Sequence, residues 1–328
     1  MNRRSAIARM LVGVLVLATA CIAQADEDPA AYPSKTIRII VPYAAGGGTD
    51  LLARTWADVL SKQFNQAVIV ENKAGGNGII GTSYAARSAP DGYTIYIATY
   101  GFPVTPLLVK DAQYAVSDFA PIIRTGFGPL ALVVAANSPI KDMQDLVAMA
   151  RAKPGALNAA TLGDGSQEQM GAVKFQTSAG VKFTEVPYKG GAPAIQDIMA
   201  GNIQLMFEGL PTVMGFIKGG TIRVLAVTGA VRSSQLPNVP TIDELGLKDV
   251  EVYSWTGFLV PAKTPRPIVD KLNAAFRKGL ADPAVVGKIA ETFGSDPAGG
   301  SPEDFQAFLA ARIKENAELI KALNIKPQ

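Results

Sequence analysis

Short apolar runs and glycine-rich loops follow one another along the first third of the chain. Residues 36–42 have the apolar pattern of a buried strand, residues 43–50 form a glycine-rich loop, and apolar positions in 51–64 recur with helical spacing. A strand that leads through a glycine loop into a helix is the repeating unit of α/β proteins. The same order continues in a strand at 66–71, a loop at 72–81, a helix at 82–88 and a strand at 93–98.

The middle of the chain repeats this order between two longer apolar segments. Residues 121–134 and 252–259 are extended in pattern, and we expect them to cross between two halves of the fold. Between them we predict strands at 157–161, 183–186, 205–207 and 224–227 and glycine loops at 162–166 and 187–193. The predicted helices are 146–153, 167–179 and one that follows loop 187–193 and ends at residue 200. Residues 268–323 are predicted to be helical, with breaks at 282–283 and 294–302, and to wrap the first half.

These elements predict an α/β protein of two lobes. A mature chain of about 300 residues exceeds one ordinary domain. Each lobe is expected to contain a mixed sheet flanked by helices, with a hinge between the lobes. We assign residues 26–127 and 255–328 to the first lobe and residues 128–254 to the second.

The N-terminus has the order of a secretory signal. Three arginines precede an apolar run over residues 10–20, and the small residues Ala23 and Ala25 follow it. The run is much shorter than the ~20 residues that a membrane span needs. We therefore expect residues 1–25 to be removed on export to the periplasm. Lipid attachment at Cys21 is an alternative.

Removal of the signal changes the charge balance. The chain has 31 Lys and Arg residues and 28 Asp and Glu residues, and residues 1–25 contain three of the basic and none of the acidic ones. The mature chain therefore carries 28 charges of each sign. Nucleic-acid binding normally needs a basic face, and none is expected here.

The chain contains no His, and its single Cys lies in the predicted signal. These two facts exclude a disulfide framework, a Cys or His metal site, and Ser–His–Asp or Cys–His nucleophiles in the mature protein. We predict a protein that is not an enzyme, binds no cofactor or metal and is a monomer. A secreted hydrolase or lyase that uses Asp50 and Glu208 as a carboxylate pair is an alternative.

The glycine loops after the strands are the candidate binding elements. Ligands of open α/β sheets bind at the carboxyl ends of the strands. A helix N-terminus presents unpaired N–H groups and partial positive charge, and glycine lets an anion approach this backbone. Loop 43–50 has no Gly-Lys-Ser/Thr ending, and Asp50 would repel a triphosphate, so a carboxylate fits better. A plain tight turn with Asp50 as helix cap is the alternative.

Two further features have both structural and functional readings. Residues 76–81 match G-x-G-x-x-G, but they do not directly follow their strand, so a dinucleotide site is not expected. We expect either a helix-capping loop that faces the cleft or a structural turn. Glu208, after an apolar strand, is either a cleft residue or a satisfied strand-end carboxylate.

Taken together in order, these motifs resemble the substrate-binding proteins of tripartite tricarboxylate transporters, the Bug family. The segments that carry the resemblance are 32–33, 42–50, 72–81, 90–93, 163–166, 187–204, 225–228 and 255–265. The most diagnostic stretch is 188–194 with Asp197 and Gly201. The resemblance implies a type II-like periplasmic solute-binding fold whose lobes close on a ligand, with hinges near 124–130 and 252–257. It also implies delivery of the ligand to membrane permease subunits.

In this family the loops of the first lobe hold one ligand carboxylate by backbone groups and ordered waters, and loops of the second lobe set specificity. The resemblance and the loop pattern together predict these ligand-binding residues: Tyr43, Ala45, Gly46, Gly47, Thr49, Asp50, Asn77, Gly78, Thr99, Tyr100, Gly165, Ser166, Gln169, Tyr188, Gly190, Gly191, Ala192 and Glu208. The ligand is expected to be a di- or tricarboxylate, an amino acid or an aromatic acid. A sensor subunit for a membrane signalling partner is an alternative role.

The chain departs from the family pattern at three places. The family often has His where Gln169 stands, Asp where Glu208 stands, and Asn-Pro where this chain has Thr105-Pro106. These departures leave the predicted carboxylate clamp of the first lobe intact. They leave the identity of the ligand open.

Overall fold

The computed structural model describes residues 30–293 and 296–322, and the predicted signal lies outside them. The described residues from Pro33 onward belong to one compact unit. The strands are β1 (Ile37–Val41), β2 (Val68–Asn72), β3 (Thr94–Thr99), β4 (Phe119–Ala135), β5 (Asn158–Thr161), β6 (Thr184–Pro187), β7 (Leu205–Gly209), β8 (Ile222–Val227), β9 (Tyr253–Pro261) and β10 (Asp296–Pro297). The helices are α1 (Gly48–Phe64), α2 (Ile79–Ala86), α3 (Gly101–Leu108), α4 (Met143–Ala152), α5 (Gln167–Ala179), α6 (Gly191–Met199), α7 (Leu210–Lys218), α8 (Arg266–Leu280), α9 (Pro283–Phe293) and α10 (Pro302–Ala322).

The sheet has two mixed halves joined through one long strand. In the first half, β1 pairs in parallel with β2 and β3, and β9 pairs antiparallel with both β3 and β4. In the second half, β5 pairs in parallel with β6 and β7, and β7 and β8 pair antiparallel with β4. The fold is the predicted α/β arrangement, since helices follow most strands and flank these mixed sheets.

Strand β4 changes partner in its middle. Its residues from Phe119 to Pro129 pair with β9, and its residues from Leu130 onward pair with β7 and β8. Thr228 links the chain segments at this position: its hydroxyl accepts a hydrogen bond from Leu130 N at 3.0 Å and donates one to Val252 O. The change of partner lies close to the lobe boundaries predicted from the sequence. The assignment of residues to two rigid lobes stays a prediction.

One buried apolar cluster runs through both halves, and further groups pack each half locally. In the first half, the ring of Phe276 on α8 lies 4.9 Å from that of Trp56 on α1 and 4.5 Å from that of Phe258 on β9. In the second half, Ile195 and Val213 bring α6 and α7 against the sheet. Burial of such side chains contributes ~1.5–3 kcal/mol each and holds the strand ends in fixed positions.

Two helices were not predicted from the sequence. They are α3, which contains Pro103 and Pro106, and α7, which carries Pro211 in its first turn. Proline is well tolerated in a first helical turn, as at Pro103 and Pro211, because its missing N–H has no intrahelical partner there, whereas Pro106 lies inside α3. Helix α1 begins at Gly48, three residues before the predicted start at 51. The predicted start was late because residues 48–50 are not apolar and add nothing to the helical spacing.

The C-terminal helices were predicted to wrap the first half, and they also contact the second half. Helix α9 contacts α1 and α8, but it also contacts α7 of the second half. Asp296 accepts a hydrogen bond from the Ser234 hydroxyl at 2.8 Å, and Lys174 on α5 lies 3.7 Å from Glu315 on α10. The C-terminal segment therefore contacts both halves.

A buried asparagine ties α8 to the first half-sheet. Asn273 Nδ2 donates to Ile122 O at 2.8 Å and to Gly300 O at 3.1 Å. We expect Asn273→Ala to lower the free energy of unfolding by ~1–3 kcal/mol, because two carbonyl oxygens lose their donor. Urea denaturation measures this change. Asn137→Ala, at an exposed position, is the control, and equal stability of both variants would contradict the prediction.

Candidate functional site

The predicted binding loops lie at the carboxyl ends of the strands in both halves. In the first half they connect β1 to α1, β2 to α2 and β3 to α3, and in the second half β5 to α5, β6 to α6 and β7 to α7. The carboxyl ends of parallel strands meet at one edge of a sheet, so each half gathers three loops there.

Five of these six helices begin without a side-chain cap, and four of the five begin at a glycine. The N-cap residues of α1, α2, α6 and α7 are Gly47, Gly78, Gly190 and Gly209, and none of these four caps makes a side-chain hydrogen bond. By contrast, Asp142 caps α4 and accepts a hydrogen bond from Asp145 N at 2.9 Å. Uncapped N-termini keep backbone N–H groups and partial positive charge available to an anion. At α2, however, the N–H groups of residues 78–80 already donate to Gly75 O and Gly76 O.

The loops of the two halves contact each other. A Cβ placed on Gly48, at the start of α1, would lie 3.3 Å from Pro211 Cβ on α7. A Cβ on Gly165 would lie 2.6 Å from Leu108 Cδ1 on α3. Only glycine fits at such distances without movement of the neighbour. The predicted loops of both halves therefore lie against each other at these two points.

Asp50 is buried and holds the first of these loops. Its carboxylate accepts hydrogen bonds from Gly46 N at 2.9 Å, from Arg54 Nε at 3.0 Å and from Asn72 Nδ2 at 3.0 Å. Burial opposes its ionisation, but the bonds from Arg54, Gly46 and Asn72 outweigh burial and lower its pKa. Gly46 has φ of 84°, which favours glycine. Asp50 thus supports the shape of the loop and already has partners for both oxygens.

Replacing Asp50 by asparagine tests this supporting role. We expect Asp50→Asn to lower the free energy of unfolding by ~1–3 kcal/mol, because charge-assisted bonds to Gly46 and Arg54 are lost. The loss should be present near pH 7 and disappear as pH falls through the lowered pKa, since the wild-type carboxylate is then protonated. Thermal denaturation from pH 3 to pH 8 measures it. A constant difference over this range would contradict the prediction.

Tyr43 and Thr99 join the loops of the first half. Tyr43 Oη and Thr99 Oγ1 lie 2.9 Å apart, and a Cβ on Gly78 or on Gly101 would lie 3.9 Å from Tyr43 Oη. Burial raises the pKa of Tyr43, so its phenol stays protonated at neutral pH. The side chain of Asn77 lies outside the described residues.

In the second half, Ser166 and Gln169 hold their loop. Ser166 Oγ caps α5 by accepting from Gln169 N at 3.2 Å. Gln169 Oε1 accepts from Gly165 N at 2.8 Å, and its amide donates to Asp164 Oδ1 at 3.1 Å and Glu185 Oε2 at 3.0 Å. The Gln169 amide is therefore occupied by groups of its own half.

The phenols of Tyr100 and Tyr188 are also occupied. Tyr100 Oη donates to Asn316 Oδ1 on α10 at 2.6 Å. Tyr188 Oη donates to Asp197 Oδ2 at 2.5 Å, and burial together with this aspartate raises the pKa of Tyr188 to about 12. Whether either residue contacts a ligand stays a prediction.

The other predicted residues are backbone or small positions at the loops. Ala45, Gly46 and Gly47 are exposed, Thr49, Gly190 and Gly191 are half-buried, and Ala192 is exposed. Because their side chains are absent or small, a ligand at these loops would contact mainly their backbone groups.

Glu168 and Glu208 form a buried acidic pair, of which only Glu208 was predicted. Glu208 is 3% exposed and Glu168, which was not predicted, is 2% exposed. Burial and the neighbouring Glu168 raise the pKa of Glu208 well above its ordinary value, and burial also raises that of Glu168. Glu168 was missed because an acidic residue in a first helical turn is common and has no special pattern.

This pair bears on the alternative of a hydrolase or lyase. Asp50 is bound by Gly46, Arg54 and Asn72, whereas Glu208 interacts with Glu168. The structure therefore gives Glu208 a different carboxyl partner from the one that this alternative assumed.

The described part of the chain lacks two features, a metal-binding cluster and a membrane-spanning helix. No group of three or more His, Cys, Asp or Glu side chains there is arranged to hold a metal ion. None of the helices in that part is both long and apolar enough to cross a bilayer.

Comparison with known proteins identifies the family. The tripartite tricarboxylate transporter family receptor, TctC, matches residues 52–325. The chain belongs to the TctC family.

Solved members of the TctC family have the same fold. The R. palustris protein Rpa4515 with adipate is 35% identical, with a TM-score of 0.86, and the match covers 90% of this chain and 100% of that one. The periplasmic binding protein BugD is 33% identical, with a TM-score of 0.84 and the same coverage. MatC from Rhodopseudomonas palustris with bound malate is 26% identical, with a TM-score of 0.81, covering 88% of this chain and 100% of MatC. The resemblance to the Bug family is thereby confirmed, and these relatives are binding proteins.

Proposed function

We propose that this TctC protein captures a small carboxylate in the cleft between its two halves and delivers it to the membrane permease of a tripartite tricarboxylate transporter. The observation that carries the proposal is the set of three helices, α1, α6 and α7, that begin at uncapped glycines on the loops of both halves. Such N-termini bind an anion without a cationic side chain.

The ligand class and the location are supported by relatives. Adipate and malate are bound in the structures of Rpa4515 and MatC, and both are carboxylates. BugD is a periplasmic binding protein. Together with the predicted signal at residues 1–25, this supports export of the mature chain to the periplasm.

Closure of the two halves is the proposed mechanism of capture. The chain crosses between the halves near Pro129–Leu130 and near Val252–Tyr253, and these crossings are the proposed hinge. A ligand that contacts both halves favours the closed state by its extra contacts there. A micromolar affinity corresponds to about 8 kcal/mol, which several charge-assisted bonds of ~1.5–3 kcal/mol can supply after ordering costs.

A thermal-shift screen against a library of carboxylic acids tests the proposal, because a ligand that binds the folded state raises the melting temperature. Calorimetry of Ser166→Ala and Gly47→Val with the best acid then tests the site. Weaker binding in both variants is expected. Unchanged affinity in both would remove the site assignment, and a library without any hit would overturn the function.

A further inference from the structure

A small cavity lies between helix α10 and the second crossing of the chain. Its volume is about 10 Å³, which is room for one water-sized particle. It is lined from both halves, by Lys174 on α5, Glu251 and Val252 at the crossing, Trp255 on β9 and Arg312 on α10. A particle bound there would therefore contact both halves beside the proposed hinge.

Two buried N–H donors of the lining residues have no acceptor among the described residues. They are the Nε1 atom of Trp255, whose side chain is 2% exposed, and the Nε atom of Arg312. A buried donor that lacks an acceptor costs free energy. Both atoms therefore favour an occupant of the cavity that accepts hydrogen bonds.

The acceptors around the cavity already have donors. Asn316 Oδ1 accepts from Tyr100 Oη at 2.6 Å, and Glu251 O accepts from Lys174 Nζ at 2.8 Å. The Glu315 carboxylate lies 3.7 Å from the Lys174 ammonium. A water molecule would bring two protons that need acceptors of their own, whereas an anion only accepts. The pattern of donors and acceptors therefore favours an anion.

Positive charge is in excess beside the cavity. The guanidinium of Arg124 lies 4.4 Å and that of Arg312 lies 5.4 Å from the ring centre of Phe308, which lines the cavity. Arg124 forms no ion pair with a described carboxylate. Burial and the charge of Arg312 lower the pKa of Arg124. The described charged side chains at or next to the cavity are three cations and two carboxylates: Arg124, Lys174, Arg312, Glu251 and Glu315.

We propose that one halide ion binds in this cavity and accepts hydrogen bonds from Trp255 Nε1 and Arg312 Nε. The volume is too small for acetate, phosphate or sulfate, and also for the captured carboxylate. Because residues of both halves surround the ion, it stabilises the arrangement of the halves described above. The inference goes beyond the proposed capture of a carboxylate and does not depend on it.

Thermal denaturation of the exported chain at increasing chloride tests the site, with sodium gluconate keeping the ionic strength constant. A ligand of the folded state raises the melting temperature. We expect a saturable rise of about 2 °C by about 0.2 M chloride. A wild-type melting temperature that does not respond to chloride would overturn the inference.

A matched pair of tryptophan variants locates the effect. Trp255→Phe keeps an aromatic ring but removes the N–H donor, so it should abolish the rise with chloride. Trp56→Phe is the control, because the indole N–H of Trp56 also has no described acceptor, yet Trp56 does not line the cavity. This variant should keep the rise. An undiminished rise in Trp255→Phe would overturn the inference.

Crystals of the wild-type chain grown with sodium bromide give a second measurement that needs no variant. Bromide scatters anomalously, and we expect a peak in contact with Trp255 Nε1 and Arg312 Nε. A water molecule at that position, or bromide only at the loops before α1, α6 and α7, would overturn the inference. Bromide in the cavity without any rise of the melting temperature would mean binding at crystal concentration only and would also overturn it. The carboxylate screen tests the proposed function separately.

Discussion

Replacing Gly48 by valine is expected to weaken ligand binding without unfolding the protein. Gly48 begins α1, and a Cβ there would lie 3.3 Å from Pro211 Cβ of the second half. The additional methyls of valine would press on α7 and oppose closure. Overpacking typically costs ~1–3 kcal/mol, which corresponds to about a 5- to 150-fold loss of affinity.

Calorimetry with the best acid from the screen measures this loss, and small-angle scattering compares the closure of both proteins. Gly215→Val is the matched control, because Gly215 is an exposed residue of the same helix α7 with open space around its Cα. Wild-type affinity of Gly48→Val would show that binding does not require the contact between α1 and α7.

Replacing Glu208 by glutamine is expected to stabilise the ligand-free protein at neutral and higher pH. Burial and the neighbouring Glu168 raise the pKa of Glu208 well above the ordinary value of 4.5. Between that value and the raised pKa, the folded chain keeps a proton that the unfolded chain releases. Wild-type stability therefore falls as pH rises through this window. Glutamine resembles the protonated side chain and does not titrate, so it removes this fall.

The gain should be small near pH 4.5 and grow towards pH 8, by about 1.4 kcal/mol for each tenfold change in the proton dissociation constant. Thermal denaturation across this pH range measures it. Glu303→Gln serves as the control, because the hydrogen bond from Arg266 lowers the pKa of the exposed Glu303. A Glu208→Gln protein that is less stable than the wild type at pH 8 would show that the ionised side chain is favoured in the fold.

The helix boundaries show how far local sequence signals reach. Helix α5 spans Gln167–Ala179 as predicted, because Ser166 caps its start and Gly180, with φ of 62°, ends it. Helices α3 and α7, both of which contain proline, were not predicted. Whether a proline ends a helix or stands inside its first turn depends on neighbours that the pattern does not contain.

Residue type and local spacing were enough to predict the strand–glycine loop–helix pattern, most of the helices and the family. The contacts of the loop residues came from the packing of the fold: Asp50 is bound by Gly46, Arg54 and Asn72, while Glu208 lies beside Glu168. The reason is that Glu168 and Glu208 are on different elements, so their contact depends on how β7 and α5 pack.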